Sequence, residues 1–372
     1  MIKYLGSKRT LVPVLGRLAA ASGAQTALDL FTGTTRVAQE FCRQGIFTFA
    51  ADIATYSEVL AQCYVQTDQA DVPEEEVMAA ITFLETLPVR RGYFTKTFCE
   101  ESRYFQPKNG MRVDAIREGI DKYYADSPLR PILLTSLMEA ADRVDSTVGL
   151  QMAYLKQWAP RAHQDLEMRI PKLTPGKGVA IRGDANQLVH TLPHVDLAYL
   201  DPPYNQHRYF TNYHIWETLI RWDAPDHYGI ACKRLDARND STKSVFNKKR
   251  EMPAALTELV KAVKTDTLIL SFSNEGFVPI EQLVEACQAR GDHVELLAFN
   301  SKRHVGASIG IYDPQGKKVG IPGRARNTEY LILSGEKALV QGMVSEVSKN
   351  SRDLTNTGIK SSHGIRVAGR SH

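Results

Sequence analysis

The sequence predicts an α/β fold with a mostly parallel sheet, an antiparallel strand at its C-terminal end and a helical insertion. Short apolar runs alternate with helical periodicity early and late in the chain. Such runs are typical of parallel strands, which are buried on both faces. Between residues 54 and 176 strand patterns are absent and helical periodicity dominates. Two late apolar runs, 294–299 and 330–333, predict a closing hairpin.

Composition is that of a globular protein. The 372 residues are 43% hydrophobic and carry a net charge of +4, enough chain for one large domain with an insertion or for two domains. No apolar run approaches the ~18 residues of a membrane span, and the N-terminus has no apolar signal core. The five scattered cysteines form no C-x-x-C pair, which fits a reducing cytoplasm and argues against structural zinc.

The first strand–turn–helix unit follows a polar N-terminal segment and an amphipathic helix with apolar residues at 11, 14, 15 and 18. Residues 27–31 read as a strand, 32–35 as a turn and the following residues as a helix. This pattern opens nucleotide-binding units, although the turn has one glycine, Gly33, where the dinucleotide fingerprint has three. A turn with a single glycine suits a ligand that approaches the backbone less closely than a pyrophosphate does.

Acidic residues follow three further predicted strands. Residues 46–51 lead to Asp52, residues 179–182 to Asp184, and residues 195–200 to Asp201. Asp52 is compatible with a helix cap, but its position about twenty residues after a strand–glycine–helix turn favours binding a ribose diol. We expect the acids to lie along one edge of the sheet, because the carboxyl ends of parallel strands meet there.

The stretch Asp201-Pro202-Pro203-Tyr204 carries the chemistry. Two prolines stop the strand and stiffen the chain, since each fixes its own φ and restrains the residue before it. The acid and the backbone carbonyls can accept hydrogen bonds from an amino group, and the ring can stack on a flat heterocycle. This combination suits the exocyclic amine of a nucleobase that has left its stack. A strand end with a packed tyrosine is the alternative that the motif alone leaves open.

Several segments combine cations with aromatic or hydrogen-bonding side chains, as nucleic-acid surfaces do. They lie in the insertion, in the aromatic segment 205–217, in the basic segment 232–250, which we predict to be a mobile loop, and in the connection between the last two strands. An ordinary helical surface with solvated cations fits the same composition. The candidate nucleic-acid contacts are Arg103, Lys108, Asn205, Arg208, Tyr209, Lys248, Lys249, Lys302 and Arg303.

Taken together, these motifs resemble the Dam-like family of DNA adenine-N6 methyltransferases. Residues 3–8, Lys-Tyr-Leu-Gly-Ser-Lys, resemble its Lys-aromatic-x-Gly-x-Lys element, and residues 29–35 resemble its Phe-x-Gly-x-Gly cofactor turn. Residues 201–204 match its catalytic motif, and the motif order is the alpha type. Thr35 replaces the second glycine and Tyr4 the usual tryptophan. Residues 109–117 resemble an Asn-Gly-x-x-x-Asp-x-Ile-Arg element of one subgroup.

The resemblance implies a Rossmann-like, S-adenosyl-L-methionine-dependent methyltransferase fold. Residues 1–53 and 177–335 are the expected catalytic domain, 54–176 a helical insertion for target recognition, and 336–372 a polar, basic and flexible tail. The implied catalytic residues are Asp201, Pro202, Pro203 and Tyr204. The implied cofactor-binding residues are Tyr4, Gly6, Ser7, Lys8, Asp29, Phe31, Thr32, Gly33, Asp52, Asp184 and Asp201. Thr34 and Glu217 are weaker candidates, and we expect Glu217 to be a surface residue of a helix.

The expected reaction is methyl transfer to the adenine N6 amine of double-stranded DNA at a specific site, with base flipping. No metal and no membrane are expected; a companion restriction endonuclease and a monomer or weak dimer, in a bacterial or phage-infected cytoplasm, are compatible with the family. The alternatives are an RNA base-amine methyltransferase and a non-catalytic DNA-binding protein on the same fold. A cytosine-N4 enzyme more often carries serine at position 201.

Overall fold

The computed structural model describes residues 2–6, 8–291, 293–302 and 326–349. Its helices are α1 Val12–Ser22, α2 Arg36–Arg43, α3 Thr55–Ala61, α4 Glu74–Thr86, α5 Tyr93–Thr95, α6 Pro107–Tyr124, α7 Arg130–Arg143, α8 Ala185–Thr191, α9 Tyr209–Asn212, α10 His214–Arg221, α11 Met252–Ala262, α12 Ile280–Gln288 and α13 Lys337–Lys349. Its strands are β1 Thr26–Asp29, β2 Phe47–Asp52, β3 Gly178–Arg182, β4 Val195–Leu200, β5 His227–Tyr228, β6 Lys233–Arg234, β7 Thr265–Ser273, β8 His293–Lys302 and β9 Arg326–Gly335. None of the helices in these ranges combines the length and apolar character that crossing a membrane requires.

The main sheet has the order β3-β2-β1-β4-β7-β9-β8. The pairs from β3 to β7 are parallel, whereas β9 runs antiparallel to both β7 and β8. The predicted Rossmann-like fold with a closing antiparallel hairpin is therefore confirmed. The strand order reverses between β1 and β4, and in open α/β sheets such a switch point is where ligands bind, outside the carboxyl ends of the strands.

Both faces of the sheet are covered by helices. Helices α1 and α13 pack on one face through residues such as Leu15 and Met343, and α8, α11 and α12 pack on the other. Successive residues of β4 face opposite layers: Leu197 joins the first hydrophobic cluster and Ala198 the second. This two-sided burial explains why β4 reads as a continuous apolar run, and it anchors the residues that follow the strand.

The helices between residues 55 and 143 form a third hydrophobic cluster. It joins Tyr56 of α3, Phe94 of α5, Ile116 of α6 and Leu137 of α7 to Trp216 of α10. Helices are present where periodicity predicted them, as α4, α6 and α7. The predicted insertion therefore shares a hydrophobic core with α10, the helix that follows the catalytic stretch.

The end of the chain differs from its prediction. Residues 337–349 form α13, so the expected flexible tail from 336 is wrong for this part. Val340, Met343 and Val347 are spaced three and four residues apart and are buried against α1, although polar and charged residues lie between them. The remainder, 350–372, lies outside the described residues.

The predicted mobile basic loop, 232–250, also packs more closely than expected. Arg234 is 1% exposed and pairs with Asp223 at 2.7 Å and Asp236 at 2.8 Å, and Phe246 is 2% exposed. Neither the predicted mobile loop nor the alternative of a solvated surface loop describes these two residues, and Arg234 can be buried because two acids neutralise its guanidinium.

Candidate active site

Three of the predicted strand-end acids meet in one place. Asp52 at the end of β2, Asp184 after β3 and Asp201 after β4 line a single cavity of ≈ 410 Å³. The parallel registers of β2 with β3 and of β1 with β4 place their carboxyl ends at the same edge. The cavity thus lies at the strand-order switch point, where the topology predicts a ligand.

Asp201 is held by a buried lysine. Its Oδ1 is buried and lies 3.0 Å from Lys8 Nζ, while the side chain keeps 17% exposure and lines the cavity. Burial raises the pKa of Asp201 to about 6, even though the neighbouring ammonium of Lys8 opposes the rise. The result is a carboxylate that is ionised above pH 6, with one oxygen on the lysine and its exposed atoms towards the cavity.

The other residues of the catalytic stretch, 202–204, differ in whether they line the cavity or pack in the protein interior. Pro203 lines the cavity and Pro202 is buried. The Tyr204 ring packs against Phe272 at a centroid distance of 5.4 Å and lies 5.7 Å from Lys8 Nζ. Pro202 and Tyr204 are not among the described residues that line the cavity.

The glycine turn holds both Gly33 and the threonine at position 35 in left-handed backbone conformations. Gly33 has φ 50° and donates its N–H to Asp52 Oδ2 at 2.9 Å. Thr35 adopts φ 61°, a conformation that ordinarily favours glycine, and its side chain accepts a hydrogen bond from Gln39 Nε2 at 2.9 Å. Phe31 and Gly33 line the cavity.

Two predicted cofactor residues lie behind this turn. Asp29 is 1% exposed and accepts hydrogen bonds from Thr32 Oγ1 at 2.9 Å and from the Ala38 N–H at 3.2 Å. Burial raises the pKa of Asp29 to about 7. Among the described cavity-lining residues neither Asp29 nor Thr32 appears, so they brace the turn from beneath.

The two other strand-end acids line the cavity and also hold backbone. Asp52 accepts the Ala54 N–H at 3.0 Å in addition to that of Gly33, and burial raises its pKa. Asp184 caps α8 by accepting the Asn186 N–H at 2.8 Å. The helix-cap alternative was raised for Asp52, but the side chain of Asp52 caps no helix, since α3 begins after Ala54 without a side-chain cap. The acid that does cap a helix is Asp184, which also lines the cavity.

An aromatic group closes the other side of the cavity. Tyr4 stacks with Tyr213 at 4.6 Å and with Tyr209 at 5.3 Å, and its hydroxyl lies 3.3 Å from that of Tyr56. Tyr4, Tyr56 and Tyr209 line the cavity. Gly6, with φ 73°, also lines it; a Cβ there would lie 3.0 Å from the Tyr209 hydroxyl. Ser7 lies outside the described residues.

We expected Lys8 to close over the cofactor, which would place it in the cavity lining. In the structure Lys8 is not among the described residues that line the cavity, and it lies behind Asp201. Its second partner is Glu329 of β9, at 3.4 Å from Nζ. Burial alone would lower the pKa of Lys8, but the two carboxylates hold it well above its usual value. Sequence reasoning did not find Glu329, because it lies 321 residues from its partner.

Glu217 corrects another prediction. It was expected on a helix surface, but it is 3% exposed, lines the cavity and accepts the Thr55 N–H at 3.1 Å. Burial raises its pKa. A signal existed in the sequence: Ile215, Trp216 and Leu219 surround it with apolar residues on a helix that is hydrophobic on several sides.

The candidate DNA contacts of the insertion are exposed but already have protein partners. Arg103 donates to the Lys156 carbonyl at 3.1 Å and lies over the Trp158 ring at 4.9 Å. Lys108 donates to the His163 carbonyl at 2.9 Å and pairs with Asp165.

The candidate contacts beyond the catalytic stretch are more scattered. Asn205 offers its carbonyl to Asn247 Nδ2 at 2.7 Å, Lys248 pairs with Glu251 at 2.9 Å, and Arg208 and Lys249 are exposed. Tyr209 belongs to the aromatic side of the cavity. The backbone of Lys302 ends β8, and Arg303 lies outside the described residues.

Comparison with known sequences agrees with the family that the sequence motifs resemble. Residues 4–280 match the sequence model of a family described as D12 class N6 adenine-specific DNA methyltransferase. The modification methylase StsI of Streptococcus sanguinis is 30% identical over 300 residues, which are 76% of this chain and 45% of that protein. The type II methyltransferase M.NlaIII of Neisseria lactamica is 28% identical over 71% of this chain and 80% of that protein.

A further relative is the type II methyltransferase M.FokI of Planomicrobium okeanokoites, 25% identical over 78% of this chain and 47% of that protein. The chain thus spans about half the length of StsI and M.FokI but most of M.NlaIII. The matched family segment contains residues 4–8 of the N-terminal element, the glycine turn and the 201–204 stretch.

Proposed function

The chain belongs to the D12 class N6 adenine-specific DNA methyltransferase family, and we propose that it transfers a methyl group from S-adenosyl-L-methionine to the N6 amine of adenine at a specific site in double-stranded DNA. The observation that carries the proposal is the buried Asp201 carboxylate, fixed by Lys8 at the carboxyl end of β4 and lining the cavity at the switch point of the sheet.

The cavity suits the proposed cofactor. Its lining contains the carboxylates of Asp52, Asp184, Asp201 and Glu217, which favour a ligand with a sulfonium and an ammonium group. Aromatic rings on one side offer faces for an adenine ring. The Thr55 hydroxyl is buried without a partner and lies in the lining, so the site has an unused polar group for a ligand.

Residue roles follow from this placement. Asp52, already oriented by two backbone N–H groups, presents its remaining lone pairs to the ribose hydroxyls. Asp184 receives the adenine amine of the cofactor, and the Phe31–Gly33 turn receives the methionine end. When bound, S-adenosyl-L-methionine supplies an electrophilic methyl group. Asp29 and Thr32 act by fixing the turn.

Asp201 addresses the chemical difficulty of the reaction. The N6 lone pair of adenine is delocalised into the ring, so the amine is a poor nucleophile. Hydrogen bonds from the amine to Asp201 and to the Pro202 carbonyl favour a pyramidal nitrogen, and the carboxylate stabilises the positive charge that develops there. A carboxylate with a pKa near 6 can then accept the extra proton.

Target recognition is assigned to the helical insertion, 54–176, together with the segment 205–250. Their exposed cations, Arg208 and Lys249 among them, provide phosphate contacts, which position a protein on DNA without reading its sequence. Tyr204 is the proposed stacking partner of the flipped base, although its ring packs against Phe272 and is not part of the described cavity lining. The names of M.NlaIII and M.FokI as type II methyltransferases support a companion restriction endonuclease for this chain as well.

The test is expression in cells free of DNA methylation, followed by single-molecule sequencing of their DNA. Modified adenines at one recurrent motif would support the proposal and give the recognised site. Unmodified DNA, with methyl label from the purified protein appearing in RNA, would reassign the substrate. The Asp201→Ala variant is the control, and modification that survives in it would contradict the assigned chemistry.

A further inference from the structure

We propose that Glu329 is a positioning residue for catalysis: it shares the ammonium of Lys8 with Asp201, so that Lys8 holds only the buried oxygen of Asp201 and the cavity side stays free for the target amine. The inference rests on the proposed methyl transfer and adds a residue that lies outside the matched family segment, 4–280. It assigns a catalytic purpose to the closing hairpin of the sheet.

The first support is the geometry of the three charges. Lys8 is 7% exposed and lies between Asp201 Oδ1, at 3.0 Å, and Glu329 Oε2, at 3.4 Å. The side chain of Glu329 is itself only 14% exposed. Two carboxylates on one buried ammonium leave a net negative charge, which is a costly arrangement unless the geometry is well defined.

The second support is the rigidity of the position that carries Glu329. It pairs with Ser273 in the β7–β9 register, and its neighbour Thr328 exchanges hydrogen bonds with Asn274, at 3.0 and 3.1 Å. Three residues further along the same segment, the Phe277 N–H donates to the Tyr204 carbonyl at 2.8 Å. One short segment after β7 therefore braces Glu329 and the end of the catalytic stretch together.

The third support is chemical. A lone ammonium beside a carboxylate can move between its two oxygens, because lysine has a flexible stem and acts as a point charge. If Lys8 moved to the cavity side of Asp201, it would compete with the adenine amine. The second carboxylate, Glu329, draws Lys8 away from that side and keeps it at Oδ1.

The charge balance gives a readout that a purely structural role would lack. The charged and titratable groups that face Asp201 are Lys8 and Glu329, with Asp29, Tyr199, Tyr204 and Tyr209 around them. Glu329 raises the pKa of Asp201 and Lys8 lowers it. Neutral variants of the two residues should therefore move the ionisation of Asp201 in opposite directions.

The experiment compares Glu329→Gln with Lys8→Met and with a matched control, Glu295→Gln, on the neighbouring strand β8, where Glu295 bonds His293 instead. We expect Glu329→Gln to lower kcat roughly tenfold, as small displacements of catalytic groups do, with KM for S-adenosyl-L-methionine unchanged. Its acid limb of kcat should move to lower pH, and that of Lys8→Met to higher pH. The control should match the wild type.

A second measurement does not depend on activity. Carbon NMR titration of the Asp201 carboxyl, assigned with Asp201→Asn, should show the same opposite shifts in the two variants. If the Asp201 titration in Glu329→Gln superimposes on the wild type, the inference is overturned, whether or not the DNA tested is a substrate. A change in KM for the cofactor with unchanged kcat would overturn it as well. An inactive wild type with the expected titrations would instead refute the proposed function and leave Glu329 as the partner of Lys8.

Discussion

Replacing Asp201 with asparagine should separate catalysis from stability, because the two are expected to change in opposite directions. Asparagine keeps the shape of the side chain and removes its charge. The lost charge stabilisation at the transition state is worth about 3–4 kcal/mol by analogy with single oxyanion-hole groups, so kcat should fall about 10²- to 10³-fold. Cofactor affinity should change far less, because Asp52, Asp184 and Glu217 remain in the lining.

The stability change follows from the pKa of Asp201. Burial raises that pKa from 3.8 to about 6, so the folded protein disfavours the ionised carboxylate relative to the unfolded chain. For an acid shifted upwards, stability is lost as pH rises from about 4 to about 6 and stays reduced above that range. Asparagine also removes a partner of the Lys8 ammonium, which Asp201 stabilises, so the gain in stability is smaller than the pKa shift of Asp201 alone implies. Asp201→Asn should therefore unfold less readily than the wild type at pH 8 and about equally at pH 4.

Urea denaturation at both pH values, with single-turnover methyl transfer at pH 8, measures the two quantities. A variant that is less stable than the wild type at pH 8 would show that the pair with Lys8 outweighs the cost of burying the carboxylate. Wild-type turnover in the same variant would remove Asp201 from the chemistry. Loss of activity with gain of stability is the outcome that accidental misfolding cannot produce.

Three further variants probe other parts of the molecule. Asp52→Ala should weaken S-adenosyl-L-methionine binding, measured by calorimetry, about tenfold or more. The variant removes a hydrogen-bond acceptor for the ligand and the partner of the Gly33 N–H. Unchanged affinity would show that Asp52 only anchors the backbone. Glu217→Gln should weaken the same binding severalfold at pH 8 and progressively less as the pH is lowered, since burial raises the pKa of Glu217 and the wild-type charge is lost as pH falls. An effect of the same size at every pH would contradict this. Arg234→Met should lower the free energy of unfolding by about 2 kcal/mol, because Asp223 and Asp236 lose its charge-assisted hydrogen bonds and keep only Arg221 as an arginine partner. A melting temperature equal to that of the wild type would show that Arg221 and solvent satisfy the two acids.

The strands of the sheet could be predicted from sequence because burial on both faces gives them a local signature. β4 was expected at 195–200 and spans Val195–Leu200, while β1 was expected to reach residue 31 and ends at Asp29. The difference at β1 is a turn effect: the Thr32 N–H bonds the Ala51 carbonyl as the chain leaves the sheet. Strand-end acids could be predicted for the same reason as the strands, since they directly follow apolar runs.

Contacts between distant parts of the chain left no comparable signature. Glu217 bonds Thr55 across 162 residues, and Glu329 reaches Lys8 across 321. Neither spacing nor local composition encodes which acid faces which backbone amide or lysine ammonium. The partly polar sequence of α13 led us to expect a flexible tail for a related reason. Three apolar residues at helical spacing suffice to dock a helix when α1 offers a complementary face.

The charges around the cavity explain why a cationic ligand fits it. Four carboxylates face the cavity, and the two guanidinium groups in the described lining are engaged by other acids: Arg182 lies 3.4 Å from Glu58, and Arg221 lies 2.9 Å from Asp223. Lys8, which could neutralise the cavity, stands behind Asp201 instead. The lining therefore stays anionic, and it should bind a sulfonium donor more tightly than the uncharged thioether that remains after methyl transfer. Under the proposed function, the placement of Lys8 that leaves Asp201 free for the target amine would thus also favour release of the cofactor after it has lost its methyl group.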